Sequence, residues 1–150
     1  MPEHISRDIQ IRATIAIGLA ASGGATWVAI QLISGMGPMT ALGHLQEIRL
    51  IAMSAGLAGW VVATLFGRSF LHLCAGAVTA TGLGAALAAS VLGMFELGGL
   101  EGAVLGVLIG PSSVFGMISQ SVTVATTWVV AMLAVHTLAE RLRAESCGCP

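Results

Sequence analysis

Four apolar runs organise the chain, at about 11–34, 50–66, 70–95 and 121–139. Crossing a hydrocarbon core about 30 Å thick takes roughly 20 apolar residues in helical form, and each run is near that length. Apolar and polar positions do not alternate with period two, so these are not the strands of a membrane barrel. In hydrocarbon every backbone N–H and C=O needs a partner inside its own segment, so the runs predict α-helices. The expected fold is an all-α integral membrane protein. Four transmembrane helices would form a compact bundle, in a single domain over residues 1–150.

The stretch 97–120 fits this scheme least well. It is apolar, rich in glycine and interrupted by Gly110-Pro111. A fifth span here would leave almost no loop before the next one. It would also send Arg141 and Arg143 to the side opposite most other arginines. The expectation is a periplasmic or re-entrant segment that dips into the membrane or lies on it. Pro111 would then stand in the first turn of a long fourth helix, where its missing N–H costs nothing. Gly106, Ser112 and Ser113 would keep that opening narrow.

The two halves of the chain resemble each other. Leu19-Ala20-Ala21-Ser22 recurs as Leu87-Ala88-Ala89-Ser90, and Trp60-Val61-Val62-Ala63 recurs as Trp128-Val129-Val130-Ala131, both at an offset of 68. Between them, Gly37-Pro38 matches Gly110-Pro111 at an offset of 73. The expectation is two tandem two-helix repeats, 11–69 and 70–140, followed by a cytoplasmic tail at 141–150. Two-span repeats keep one orientation, so their pseudo-twofold axis would run along the membrane normal.

Charge sharpens this picture. The chain has six arginines, seven acidic residues and no lysine, which makes 9% charged residues against 56% hydrophobic, with a mean hydropathy of +0.94. A soluble domain usually carries about 25% charged residues. A water-soluble globular enzyme is excluded on that ground. The net charge of −1 and the lack of a basic patch speak against nucleic-acid binding. Arg7, Arg12, Arg68, Arg141 and Arg143 fall on one side of the four spans, and Arg49 falls on the other beside Glu47. Cytoplasmic loops carry the excess of arginine, so both termini are expected in the cytoplasm. Glu96 and Glu101 mark the opposite loop. The absence of Lys, Tyr and Asn beside 24 Ala and 20 Gly suits a GC-rich bacterial genome, hence a bacterial inner (plasma) membrane.

Helices in lipid associate through small residues spaced by four. Gly18 with Ser22, Ala20 with Gly24, Ala55 with Gly59, and Gly82 with Ala86 offer such faces. They suggest docking onto other membrane subunits or onto further copies of the chain. Trp60 and Trp128 stand too deep for interfacial anchors and are expected to fill space between helices. Cys74 is expected at a helix contact.

Candidate chemistry is sparse. Glu101 becomes a functional carboxylate if its segment dips inward, and is otherwise a solvated loop charge. His72 and His136 approach the cytoplasmic side on neighbouring spans, the arrangement a bis-histidine haem would need. The alternative is a pair of interfacial histidines. Cys147 and Cys149, one residue apart, suit a soft metal such as Cu(I) or Zn(II), with further ligands from a partner chain. The alternative is a tail with two incidental thiols. No nucleophile–base pair, phosphate loop or dinucleotide fingerprint occurs, so no enzyme and no resident cofactor are expected.

Three roles remain. The first is a non-catalytic subunit or accessory component of a larger or homo-oligomeric membrane complex. The second is a small solute or ion transporter or channel component, with Glu101, Gly110, Pro111, Ser112 and Ser113 at its opening. The third is soft-metal handling through the tail. The partners common to all three are the lipid bilayer and other membrane proteins.

Overall fold

The computed structural model describes residues 2–33 and 45–147, with side chains over 6–33 and 45–145. Every regular element among the described residues is helical. Helix α1 spans Pro2–Ile33 and α2 spans Leu45–Val62, extended by a 3-10 turn at Ala63–Leu65. Helix α3 covers Phe70–Gly93, a π-turn follows at Met94–Gly98, α4 covers Gly99–Gln120 and α5 covers Val122–Cys147. Four helical runs are long and apolar enough to cross a membrane: Ser6–Ile33, Leu45–Leu65, Phe70–Gln120 and Val122–Glu145.

The third run has 51 residues. Straight, at 1.5 Å per residue, it would reach about 75 Å, more than twice the thickness of a hydrocarbon core. It is folded in two instead. Gly98 and Gly99 adopt φ of +79° and +67°, where a Cβ would clash, and the chain reverses there. Helix α4 then returns along α3. Gly102 meets the Gly93 backbone, Gly106 meets Ala89, and Gly110 meets Ala85, so partner numbers fall as α4 advances. Gly102, Gly106 and Gly110 are spaced by four. They form a ridge without side chains on which the two backbones touch.

This corrects one expectation and gives a form to another. Residues 99–120 of the glycine-rich segment are a continuous helix, α4, folded back on α3. Pro111 does not open the fourth span but lies inside α4, and the last helix begins at Val122. An interior proline removes one helix hydrogen bond and crowds the carbonyl four residues back. Contact with α3 loosens just beyond it. A Cβ on Gly82 would meet only the Phe115 ring, at 3.9 Å, and Gly116 faces open space. Phe115 sits beside Gly82 while Trp128 bonds Thr81, so residues 116–127 make no net advance along α3.

The remaining contacts set the directions. Gly23 packs on Ala55 and Gly59 on Leu19, so α1 and α2 are antiparallel. Gly84 packs on Ala55 and Gly76 on Phe66, so α2 and α3 are antiparallel. Gly18 packs on Val135, while Arg7 shares a groove with Leu142 and Glu145, so α5 returns antiparallel to α1. One end of the bundle therefore gathers Arg7, Arg12, Arg68, Arg141 and Arg143. The main apolar core lies in the half nearer this end, around Ile15, Leu19, Phe66, Leu73, Met132 and Val135.

Arg143 ties that end together. Its Nε donates to the Phe66 carbonyl at 3.0 Å and its Nη2 to the Ala63 carbonyl at 3.1 Å. These carbonyls lie at the C-terminal end of α2 and its 3-10 turn, where the helix dipole favours a cation, and the Ala63 carbonyl also accepts the Phe66 N–H. Arg143→Met keeps the stem and loses both donors. It is expected to cost about 1.5 kcal/mol, a typical worth for a charged hydrogen bond. A melting temperature equal to the parent's would refute this role.

Two side chains lie elsewhere than expected. Trp60 is 40% exposed on the outer surface rather than between helices, and Cys74 is exposed rather than at a helix contact. The Gly37-Pro38 segment of the repeat lies outside the described residues.

Candidate functional site

The inward stripe of α1 changes character along its length. Ile11, Ile15 and Leu19 are buried in the core, and the same face continues as Ser22 and Thr26. The spacing of three and four keeps these positions on one side of the helix. Beyond Leu19 the stripe borders a half-enclosed cavity of about 390 Å³. Ser22, Thr26 and Trp27 of α1 form one wall, with Ile51 and Ala55 of α2 beside them. Helix α3 contributes Thr81, Gly84 and Ala88, α4 contributes Leu105, Ser113 and Met117, and α5 contributes Trp128 and Met132. The cavity reaches Glu96 and Leu97 at the end away from the arginine cluster.

Small residues account for the space. Gly84, Ala85, Ala88 and Ala89 face it from α3, and α4 separates from α3 beyond Pro111, where Ser113 and Met117 join the lining.

The hydrogen bonding of this wall is unusual within the molecule. Hydroxyls in helices commonly donate to the carbonyl three or four residues back. Thr14, Ser90, Ser112, Ser119, Thr126, Thr127 and Thr137 all do so here. Ser22 Oγ and Thr26 Oγ1 do not, and they are buried without a partner. Their residues are only 5% and 7% exposed. The two indoles differ in the same way. Trp128 Nε1 donates to Thr81 Oγ1 at 2.9 Å, whereas the buried Trp27 Nε1 has no partner. Each such unpaired group costs about 1–3 kcal/mol. Three of them stand within two turns of one helix, in residues that line one cavity.

No protein-family model, curated protein or solved structure matches the chain.

Gly110 is packed against Ala85, Ser112 is exposed with its hydroxyl on the Ile109 carbonyl, and Glu101 is exposed in the first turn of α4. Of that proposed opening, Gly110 and Ser113 line the cavity and Glu101, Pro111 and Ser112 do not. Gly18, Ala20, Gly24, Ala55, Gly59 and Gly82 all meet neighbouring helices of the same chain. Ala86 accepts the Ser90 hydroxyl on its carbonyl, and Ser22 belongs to the cavity wall.

His136 is buried, and its Nδ1 accepts the Gly67 N–H at 3.1 Å, while Nε2 stands 3.7 Å from Glu140. His72 Nδ1 pairs with the Ser69 hydroxyl at 2.6 Å. Each ring nitrogen facing the α2–α3 connection is thus already engaged, so a haem would have to use the other nitrogen of each ring. Among the described residues, no three His, Cys, Asp or Glu side chains converge on a metal-sized site. The Cys147 and Cys149 side chains lie outside the described ones.

The sequence marks Trp27 only as one of three tryptophans within the spans and Ser22 as a packing residue, and gives Thr26 no role. The available signal is the change of the 11–15–19 stripe to hydroxyl residues at 22 and 26. Polar side chains are costly inside a membrane unless something pairs with them.

Proposed function

We propose that this is a small non-catalytic integral membrane protein of the bacterial inner membrane that holds a small molecule in the cavity between its helices. The carrying observation is the 390 Å³ cavity, which Ser22, Thr26 and Trp27 line, residues whose polar side-chain atoms are buried without a partner. Ligand sites are typically concave, mostly apolar and furnished with a few polar groups. This favours the solute-handling role over assembly through the small-residue faces. Those faces are occupied within the chain itself, by Val135 on Gly18, Ile48 on Gly24 and Leu19 on Gly59. The arginine-bearing end is taken to face the cytoplasm, because arginine is enriched there. Helix directions pair α1 with α3 and α2 with α5, as tandem repeats would, with α4 added in the second half and without a counterpart among the described residues of the first.

The test is extraction and mass analysis of small molecules that co-purify with the full chain in mild detergent. The parent protein is expected to retain one defined species above the lipid and detergent background. Ala88→Leu and Leu105→Trp, both of which add volume at the cavity wall, are expected to lose it while staying folded. Equal retention by the parent and both variants, or nothing above background, would sink the proposal.

A further inference from the structure

We propose that the cavity's occupant is an uncharged, mostly apolar molecule whose head carries carbonyl oxygens, held by hydrogen bonds from Ser22, Thr26 and Trp27. The inference rests on the solute-holding reading and deepens it to a ligand class.

The hydrogen-bond inventory sets the head group. An indole N–H can only donate, and a hydroxyl that has not spent its proton on the helix can donate as well. Ser22, Thr26 and Trp27 therefore present three donors, and the missing partner is an acceptor. Seven other helix hydroxyls show that the backbone carbonyls would take these protons locally. At 22 and 26 the protons remain free. From Ser22 to Trp27 is about 7.5 Å along the helix axis. One carbonyl oxygen can accept from two of these donors, and a second oxygen on the same head can reach the third. A carbonyl oxygen has two lone pairs and no proton of its own, so it satisfies donors without adding an unpaired one.

Charge sets the rest of the head. Among the described residues the only ionisable one in the lining is Glu96, which is exposed at the rim. An anion would find no cation inside, and a cation would find its partner only outside. A charge in so apolar a site is strongly disfavoured. The body is set by Leu19, Ile51, Ala88, Leu105 and Met132, which offer contact and no hydrogen bond.

The test is photolabelling of the full chain in lipid nanodiscs with a diazirine-bearing analogue of decan-2-one. Cleavage at Arg12 and Arg49 releases the fragment 13–49, which contains all three donors. Saturable labelling of this fragment is expected. Excess decan-2-one should suppress it, and equal decane or decanoate should not. A single ketone oxygen accepts from two donors, so at least two of Ser22→Ala, Thr26→Val and Trp27→Phe should weaken labelling about fivefold to tenfold, the effect of one lost hydrogen bond. Their melting curves should show that each variant remains folded. Suppression by decane to the same degree, or labelling unchanged in two or more of the three variants, would overturn the inference. A parent protein that retains a native molecule but is not labelled by the ketone would also overturn it, while leaving the holding role standing. A parent that retains nothing and takes no label would remove both.

Discussion

Gly106→Leu is expected to unfold the α3–α4 hairpin at a cost of about 3 kcal/mol or more. The reason is geometric. A Cβ at Gly106 would press on the Ala89 carbonyl and the Ser90 nitrogen, which are backbone and cannot rotate away. Overpacking against movable side chains already costs about 1–3 kcal/mol. Here the helices must separate, and the contacts at Gly102 with Gly93 and at Gly110 with Ala85 would loosen with them. For a chain of this size each kcal/mol shifts the melting temperature by about 2–4 °C, so a fall of roughly 10 °C is expected. Gly116→Leu provides the comparison, because that position on the same helix faces open space. It is expected to melt within a degree or two of the parent. Equal effects at both positions would mean that α4 does not pack on α3 in this register.

The second large effect has the opposite sign. Ser22→Ala and Thr26→Val should stabilise the empty protein, by about 1 kcal/mol each, because each removes a buried hydroxyl that has no partner. Such gains are uncommon among buried substitutions, most of which destabilise. Thr81→Val supplies the contrast. It is as conservative as Thr26→Val, yet it deprives Trp128 Nε1 of its acceptor and should destabilise by a similar amount. Melting of protein stripped of co-purifying small molecules reads both. If Thr26→Val and Thr81→Val shift the melt in the same direction, the hydroxyl of Thr26 has a partner after all. The pair also predicts a trade-off, because the substitutions that stabilise the empty protein should weaken retention of the occupant.

The apolar helices were the most legible feature of the sequence, because length and lack of charge suffice to mark them. The end of the third run was legible too, because Glu96 and Glu101 flank Gly98-Gly99, where the backbone reverses. The return of α4 along α3 as a continuous helix was less legible, because 102–120 carries no charge and reads as apolar and glycine-rich. From sequence Pro111 reads as a helix start, since that is where proline is least costly. Within a membrane, interior prolines are tolerated when neighbouring groups take up the freed acceptor. The four-residue spacing of Gly102, Gly106 and Gly110 was present in the sequence. Its meaning depended on Gly93, Ala89 and Ala85 lying opposite, which only the fold shows. Trp60 and Cys74 illustrate a more general obstacle. Lipid-facing and core positions of a membrane helix are equally apolar, so hydropathy does not separate them. The cavity depended on the same three-dimensional facts. Ser22 and Thr26 look like ordinary helix hydroxyls until their protons are found unspent.

A native mass spectrum of the full chain, released gently from detergent, measures the occupancy of the cavity most directly. The expected spectrum contains a discrete uncharged adduct of a few hundred daltons, one per chain, in the size range that fits a cavity of this volume. Leu105→Trp should abolish that adduct, and Thr26→Val should reduce it. A spectrum of bare chain, or an adduct equally abundant in the parent and in Leu105→Trp, would contradict a small-molecule site between these helices.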